Sequence, residues 1–174
     1  MKHLNPLSFW QVLRSNYKLF LPSFMVIAVL SCTKKQDFPD EPVLSNLRIM
    51  VNSDSTANIL VDFTDGDGDI GLRPQDTTGV YNPDTGIYKF NLIIDYYENQ
   101  NGTWVKPRED VFSARISDLG GSGPLQGTID RLIGDGLTYF DPVSPNLQFR
   151  YEVQLVDRSL NTSNRLTSDI LVKP

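Results

Sequence analysis

The chain has 174 residues, with 16 Lys and Arg against 21 Asp and Glu, one His and one Cys. His3 lies in a basic, apolar leader that ends at Cys32, so cleavage before Cys32 leaves a chain with no histidine and with its only cysteine at the first position. That composition excludes Ser-His-Asp and Cys-His catalysis, zinc sites built from His and Cys, and disulfides within the chain.

Residues 1–31 are predicted to be a signal peptide that is cleaved. They contain three basic residues and no acidic one, and the segment from Leu19 to Leu30 is apolar except for one proline and one serine. These twelve residues are too few to span a bilayer, which takes about 20. A basic region followed by a short apolar region is the order found in secretory signal peptides.

The leader ends in Val29-Leu30-Ser31-Cys32, which resembles the lipobox of bacterial lipoproteins. In that motif the cysteine is diacylated on sulfur, the bond before it is cleaved, and the new amine is acylated. The resemblance implies a covalent lipid on Cys32, and several acyl chains on one residue give stable anchoring. The alternative is an ordinary secreted protein in which Cys32 carries no lipid.

Cleavage also changes the charge of the chain. Loss of Lys2, Arg14 and Lys18 leaves 13 basic residues against 21 acidic ones, so the net charge goes from −5 to −8. An acidic domain has no electrostatic footprint for nucleic acid. We therefore expect no nucleic-acid partner and contact with a membrane only through the lipid.

Residues 32–42 are predicted to be the lipidated cysteine and a flexible tether, because they are polar and contain two prolines. Thr33, rather than Asp, follows the cysteine, which indicates the outer membrane by the sorting rule of enteric bacteria. The expected location is therefore the cell envelope, lipid-anchored at the outer membrane. Residues 43–174 have a length that suits one domain.

From Val43 onward the apolar residues recur at every second position. The clearest run is Leu147, Phe149, Tyr151, Val153 and Leu155. Such alternation indicates strands with one buried face, and helical spacing is hard to find after residue 42. Strands are predicted at 47–51, 57–64, 87–97, 103–106, 111–117, 125–131, 147–156 and 165–172. Asn101-Gly102 is a strong hairpin signal. The fold class is therefore all-β, a single antiparallel two-sheet β-sandwich of the immunoglobulin-like (Ig-like) kind.

Three aspartates alternate with glycines directly after the second predicted strand. Asp65, Asp67 and Asp69 could curl around one hard cation such as Ca²⁺, which takes about six to eight oxygen ligands, and the glycines let the backbone turn tightly. The three match the first, third and fifth positions of an EF-hand loop, with Asp76 at the last. Ile70 stands where an EF-hand needs glycine, and the segment follows a strand. These departures argue against an EF-hand and leave open a calcium loop on a β scaffold.

The sandwich topology brings a second loop to this acidic segment. In an Ig-like sandwich the B–C and F–G loops emerge at the same end. Asp157 and Asn161, which follow the predicted F strand, would then face the three aspartates. Such carboxylates would repel each other unless a cation, or the side chains of Arg158 and Arg73, compensated their negative charge. The alternative is that the Asp-Gly repeats only form turns with their carboxylates in water.

Taken together, several segments of residues 43–172 resemble uncharacterised lipoproteins of Bacteroidota-type bacteria. The segments are the acidic stretch 64–71, the hairpin from Tyr96 to Trp104, and the stretch 156–164. The last also resembles the F-to-G passage of bacterial Ig-like and fibronectin type III-like modules, except that Leu160 stands where those modules usually have glycine. The resemblance implies a β-sandwich lipoprotein and no activity.

Three functions remain open from the sequence. The first is a non-enzymatic, lipid-anchored binding or structural module whose cofactor is calcium and whose partner is an envelope protein or a glycan. The second is carbohydrate binding, with Trp104 and Tyr97, and also Tyr81, Tyr139 and Phe140, as stacking faces; packing is the alternative role of these rings. The third is a small hydrolase with two carboxylates roughly 5–10 Å apart, for which no motif singles out a pair. We expect that the protein is not an enzyme.

Overall fold

The computed structural model describes residues 37–53, 55–120 and 123–174. The expected signal peptide, the expected lipidation site at Cys32 and the first residues of the expected tether lie outside them. The described chain forms eight strands: β1 (Val43–Val51), β2 (Ala57–Asp65), β3 (Leu92–Gln100), β4 (Thr103–Val105), β5 (Leu125–Ile133), β6 (Gln148–Leu155), β7 (Leu166–Thr167) and β8 (Leu171–Val172). One 3₁₀ turn covers Gly79–Tyr81. No helix of the described residues is long and apolar enough to cross a membrane.

The strands form two antiparallel sheets that share one core. The first sheet has the order β1-β2-β5, and the second has the order β4-β3-β6-β7, with β8 also paired to β6. The second strand thus pairs with the fifth and the third with the sixth, as the B strand pairs with E and C with F in an Ig-like sandwich. The all-β, two-sheet antiparallel sandwich predicted from the sequence is confirmed.

The core is built from the alternating residues of β2, β3 and β6. Every second side chain of these strands points inward and is buried, and the outward side chains are partly exposed for the most part. The largest fully buried apolar side chains include Tyr151, Phe149, Ile59, Leu92 and Ile94. Burial of a large apolar side chain contributes about 1.5–3 kcal/mol, so this inner layer is the main source of stability.

The Asn101-Gly102 turn forms as the sequence predicts. Gln100 pairs with Thr103 across it, and Asn101 and Gly102 both have positive φ, at 54° and 90°. A type I′ turn requires positive φ at both central residues, which asparagine and glycine tolerate best. The turn carries β4 back along the edge of β3 and places Trp104 opposite Asn99.

The predicted strand at 111–117 is wrong, because this segment makes only isolated bridges. Ala114 exchanges two backbone hydrogen bonds with Leu92. On one side of this bridge the Ile94 N–H donates to the side-chain Oγ of Ser113. On the other side the Ile116 N–H donates to Oδ1 of Asn91. Side chains therefore take the backbone donors that a continuous ladder would pair with carbonyls.

Two further predicted strands have different limits. The strand predicted at 87–97 begins only at Leu92, because residues 86–89 close turns in which Tyr88 N–H donates to the Val80 carbonyl. The strand predicted at 165–172 is divided into β7 and β8. Between them, the Ser168 hydroxyl oxygen accepts the Tyr151 N–H. A side-chain oxygen therefore takes the place of the backbone carbonyl that a continuous strand would offer.

The sandwich has two ends with different chemistry. The acidic end is where β2 and β6 finish and β3 begins, and it carries residues 65–71 and 157–161. The distal end is where β3 and β5 finish and β6 begins. The described chain starts at the acidic end, because the Pro39 carbonyl accepts the Gly66 N–H at 2.8 Å, and Pro42 is buried. The last residues of the expected tether therefore lie against the domain.

A buried ion pair lies towards the distal end. Glu98 is 1% exposed and pairs with Lys173 at 2.9 Å. The carboxylate also accepts hydrogen bonds from the hydroxyl of Tyr96, the hydroxyl of Ser144 and the amide of Asn146. Burial opposes ionisation of Glu98, but hydrogen bonds from Lys173, Ser144 and the other donors outweigh it and lower the pKa of Glu98 to about 2. The pair fixes the C-terminal residues to the core.

We expect Lys173→Met to lower the free energy of unfolding by about 3–5 kcal/mol, because it leaves the buried Glu98 carboxylate without its cation. Urea unfolding at neutral pH measures this loss. Lys89→Met is the control, since the Lys89–Asp110 pair is about one third exposed and contributes about 0–1 kcal/mol.

The same pair makes stability depend on acid pH. Because the pKa of Glu98 is lower in the folded chain than its ordinary 4.5, its contribution is complete above pH 4.5 and is lost as the pH falls to about 2. Lys173→Met should flatten that part of the pH profile. Equal stability of Lys173→Met and Lys89→Met at neutral pH would contradict the role assigned to the Glu98–Lys173 pair.

Candidate functional site

The acidic end brings together three carboxylates from two loops. Asp65, Asp69 and Asp157 each place one carboxylate oxygen within 4.8 Å of the others. Asp65 is the last residue of β2, and Asp157 follows β6 by two residues. The juxtaposition follows from the topology, because both strands run towards the same end of the sandwich. The described residues contain no other group of three His, Cys, Asp or Glu side chains placed to hold a metal.

Asp65 is the most unusual member of this cluster. Its side chain is wholly buried, and its Oδ2 accepts the Asp69 N–H at 3.0 Å. Its Oδ1 is buried and has no hydrogen-bond partner among the described residues. A buried polar atom without a partner is costly, since the loss of hydration is not repaid. The cluster therefore contains a buried oxygen that can accept a ligand.

Asp157 is also wholly buried, and Asn161 holds it in place. The Asn161 N–H donates to Oδ1 of Asp157 at 2.8 Å, and the Asn161 side-chain amide donates to Oδ2 at 2.9 Å. Leu160, between them, has a φ of 70°, the left-handed conformation that favours glycine. Leu160 thus has a backbone conformation that is typical of glycine. Asn161 orients the carboxylate by donating to both of its oxygens.

Asp69 joins the two loops. Its Oδ2 accepts a hydrogen bond from the Ser159 hydroxyl at 2.7 Å, and its carbonyl accepts the Arg158 N–H. Its Oδ1 is buried and has no partner among the described residues. Asp69 and Asp65 therefore each have one buried carboxylate oxygen with no hydrogen-bond partner among the described residues. Both residues belong to the group of three whose carboxylate oxygens converge.

The basic side chains near the cluster do not neutralise it. Arg158 pairs with Asp118 at 2.9 Å and donates to the Gly71 carbonyl, and Arg73 also pairs with Asp118 at 3.2 Å. No Lys or Arg of the described residues forms an ion pair with Asp65, Asp69 or Asp157. The sequence leaves open whether Arg158 and Arg73 or a cation relieves the repulsion. In the structure both arginines form ion pairs with Asp118, a residue that the sequence did not indicate as part of the site.

Burial and mutual repulsion oppose ionisation of the cluster. Burial, and then the negative charges of Asp67, Asp69 and Asp157, raise the pKa of Asp65 to about 6. Burial also raises the pKa of Asp157, against the hydrogen bonds from Asn161. Both shifts mean that the charged cluster is unfavourable without a compensating positive charge. A bound cation would remove that penalty.

Two other candidate ligands of the sequence lie outside the converging group. Asp67 is exposed, and its Oδ1 accepts the Asp69 N–H at 3.3 Å. Asp76 accepts the Arg73 N–H and closes a local turn. The group is therefore discontinuous in sequence, with carboxylates from residues 65–69 and from residue 157, and it does not include Asp76, which stands at the last position of the EF-hand pattern.

The glycines of the acidic loop are required by close backbone approach. A Cβ on Gly66 would lie 2.4 Å from the Phe38 carbonyl oxygen, and a Cβ on Gly68 would lie 2.1 Å from the Gly123 carbonyl oxygen. Gly68 also has a φ of 75°. The glycines thus allow two other segments, which carry Phe38 and Gly123, to approach the loop that holds the aspartates.

The aromatic candidates are divided between different environments. Tyr97 and Trp104 lie on the outer face of the second sheet, where the Arg150 guanidinium lies 5.7 Å and 4.5 Å from their ring centroids. Tyr139 is in the core, and Phe140 packs against it. Arg150 gives the two outer rings a cation–π partner within the protein. The structure therefore does not bring all five candidate rings into one row.

Tyr81 lies beside the acidic cluster rather than on the aromatic face. Its hydroxyl donates to the Arg158 carbonyl at 2.6 Å. Burial, and then the charges of Asp157 and Asp69, raise the pKa of the Tyr81 phenol. The ring is thus a reporter of the cluster for spectroscopy, a role that no sequence pattern indicated.

Comparison of the chain with protein-family models, with curated proteins and with solved structures finds no match. The fold and the acidic cluster are therefore the basis for the function proposed below.

We expect Asp65→Asn to raise the melting temperature of the cation-free protein at neutral pH. The substitution removes one of the mutually repelling buried charges, while the amide oxygen still accepts the Asp69 N–H. Scanning calorimetry in the presence of a chelator measures the shift. Asp84→Asn is the control, because Asp84 is exposed and lies in a turn away from the cluster. A fall in melting temperature for Asp65→Asn alone would contradict the repulsion.

Proposed function

We propose that the protein is a non-enzymatic β-sandwich module, anchored in the cell envelope by a lipid on Cys32, whose acidic end binds one calcium ion. The observation that carries the metal part is the convergence of Asp65, Asp69 and Asp157 with two buried carboxylate oxygens that have no partner among the described residues. The ion would neutralise the cluster and fix the loops at 65–69 and 157–161 against each other.

The ligand chemistry favours calcium over other common metals. The cluster offers only oxygen, whereas zinc prefers His and Cys ligands. Three carboxylates from two loops form a set that water molecules and backbone carbonyls would complete. Calcium accepts such an irregular set, while magnesium requires near-octahedral geometry and keeps more of its water.

The geometry gives less support to the two alternatives. A glycosidase needs a carboxylate pair that a sugar ring can reach, and Asp65 and Asp157 are both 0% exposed. Carbohydrate binding through Tyr97 and Trp104 stays a prediction, in which Arg150 already lies near both rings. A binding or structural role is the proposal that uses the observed cluster and needs no reactive side chain. Its partner would be an envelope protein or a glycan.

We expect calcium to stabilise the chelator-treated protein. A ligand that binds only the folded state adds about 2.7 kcal/mol at 100 times its Kd. Extracellular calcium modules bind with a Kd of about 10⁻⁴–10⁻³ M, so the titration must reach the millimolar range. Calorimetry measures the affinity, and terbium luminescence that is weakened in Tyr81→Phe reports that the ion lies at the acidic end.

Variants of matched charge locate the ion. Asp65→Asn and Asp69→Asn should abolish the calcium-dependent rise in melting temperature, and Asp84→Asn should keep it. Asp67→Asn should keep most of it, because Asp67 lies outside the converging group. Unchanged calcium binding by Asp65→Asn, in a variant with a native circular dichroism spectrum, would refute the proposed site.

The lipid anchor is tested separately from the metal. We expect the full chain, produced in a bacterial host supplied with an alkyne-tagged palmitate, to incorporate the label and to sediment with membranes. Cys32→Ser should lose both properties and retain the leader. A wild-type chain that is cleaved and released without label would refute the anchor and leave the calcium proposal unaffected.

A further inference from the structure

An apolar pocket lies near the distal end, away from the acidic cluster. It has a volume of about 210 Å³ and lies between the segments 108–112 and 137–143. Tyr96, Phe112 and Phe140 supply aromatic walls, and Leu137 and Val143 lie at its rim. Leu137 and Val143 are 67% and 81% exposed, so the rim presents apolar surface to solvent. Such surface next to a formed cavity is typical of a binding site.

The walls of this distal pocket are fixed before any ligand arrives. The rings of Tyr96 and Phe112 pack edge to face at 6.0 Å between centroids, and the Phe140 ring packs on Tyr139 at 5.0 Å. The Tyr96 hydroxyl donates to Glu98 and accepts the Asp141 N–H. Because Tyr96 is held at both its ring and its hydroxyl, it cannot swing outward to fill the space. A preformed pocket lowers the entropic cost of binding.

The size of the pocket limits its ligand to one or two rings. An engineered apolar cavity of about 150 Å³ binds benzene, whereas drug-sized ligands occupy pockets of roughly 300–1,000 Å³. A volume of about 210 Å³ therefore suits a single phenyl or indole group. Aromatic walls favour a ring over an aliphatic chain, because edge-to-face pairs add to the energy of burial.

The rim carries one cation with unused donors. Arg108 is half exposed and makes one polar contact with the described residues, an ion pair to Asp141 at 3.0 Å. The other oxygen of Asp141 accepts the Val143 N–H, so this carboxylate is already satisfied at both oxygens. A guanidinium has five N–H donors, and the remaining ones can bind a second carboxylate. Arg108 thus adds an anion-binding group to the edge of the apolar pocket.

We propose that the distal pocket binds a small free aromatic carboxylate. The ring lies against Tyr96, Phe112 and Phe140, and the carboxylate binds the Arg108 guanidinium at the rim. The proposal requires neither the calcium ion nor the lipid anchor, because the pocket is built from other residues.

The probe for this site is 3-phenylpropionate, titrated into the full chain and followed by the methyl resonances of Leu137 and Val143. Two compounds serve as matched ligands: 3-phenylpropionamide has the ring without the charge, and propionate has the charge without the ring. We expect the carboxylate to bind about fivefold to tenfold more tightly than the amide, because a hydrogen bond to a charged group is stronger than a neutral one. Propionate alone should leave the methyl resonances unchanged.

The variant Arg108→Gln should remove the preference for the carboxylate and leave binding of the amide unchanged, since the pocket walls are intact. Arg48→Gln is the control, because Arg48 has a similar exposure and lies on β1 of the other sheet. A melting temperature close to wild type verifies that Arg108→Gln is folded.

Several outcomes would overturn the proposal. The absence of methyl shifts at millimolar 3-phenylpropionate refutes binding, and a carboxylate preference that survives Arg108→Gln refutes the assigned anion contact. Equal affinity for the acid and the amide refutes the carboxylate requirement. Tighter binding of a Gly-Gly-Phe peptide than of 3-phenylpropionate would assign the pocket to the C-terminus of a partner chain instead of a free small molecule.

Discussion

Two wholly buried aspartates at one end of the sandwich are the constraint on which the surrounding structure depends. Asp65 ends β2 and Asp157 follows β6, so the topology that forms the core also brings their charges together. The loops around them are arranged for this contact: Asn161 donates twice to Asp157, Ser159 and the Arg158 N–H bind Asp69, and glycines at 66 and 68 let other backbone segments approach. The Asn161 and Ser159 contacts orient the carboxylates, and none of these contacts supplies a positive charge. This uncompensated charge is the observation behind the proposed calcium site.

Glu98 is another buried carboxylate of the sandwich, and comparing it with Asp65 is informative. Glu98 is as buried as Asp65, yet it has the Lys173 ammonium at 2.9 Å and three neutral donors, and its pKa is lowered. Asp65 has one backbone donor and three acidic neighbours, and its pKa is raised. Burial is therefore similar at the two positions, and the difference lies in the compensating charge. The chain supplies that charge within the fold for Glu98, whereas at the acidic end the nearby arginines pair with Asp118 instead.

The sequence predicted the sandwich because alternation of apolar residues reports which side chains face the core. It also predicted that residues 65–69 and 157–161 would meet, since that follows from the order of the strands. It did not predict the loss of the strand at 111–117, because Ser113 and Asn91 accept backbone hydrogen bonds through their side chains, and the alternation pattern contains no sign of this. Nor could it divide the aspartates into buried and exposed ones. Asp65 and Asp67 flank the same glycine, Gly66, and Asp65 is buried because it is still part of β2, whereas Asp67 lies beyond its end and is exposed.

The carboxylates of the acidic cluster come from segments about ninety residues apart, so the cluster is complete only in the folded sandwich. Occupation of the site would therefore depend on the folded sandwich and would in turn stabilise it, as linkage requires. The hydrogen bond from the Gly66 N–H to the Pro39 carbonyl attaches the first described residues to the same loop. The conformation of that segment is therefore coupled to that of the aspartates. The apolar pocket lies away from this end and shares no residue with it. A cation at one end and an aromatic carboxylate near the other would thus bind the same sandwich without competing for the same groups.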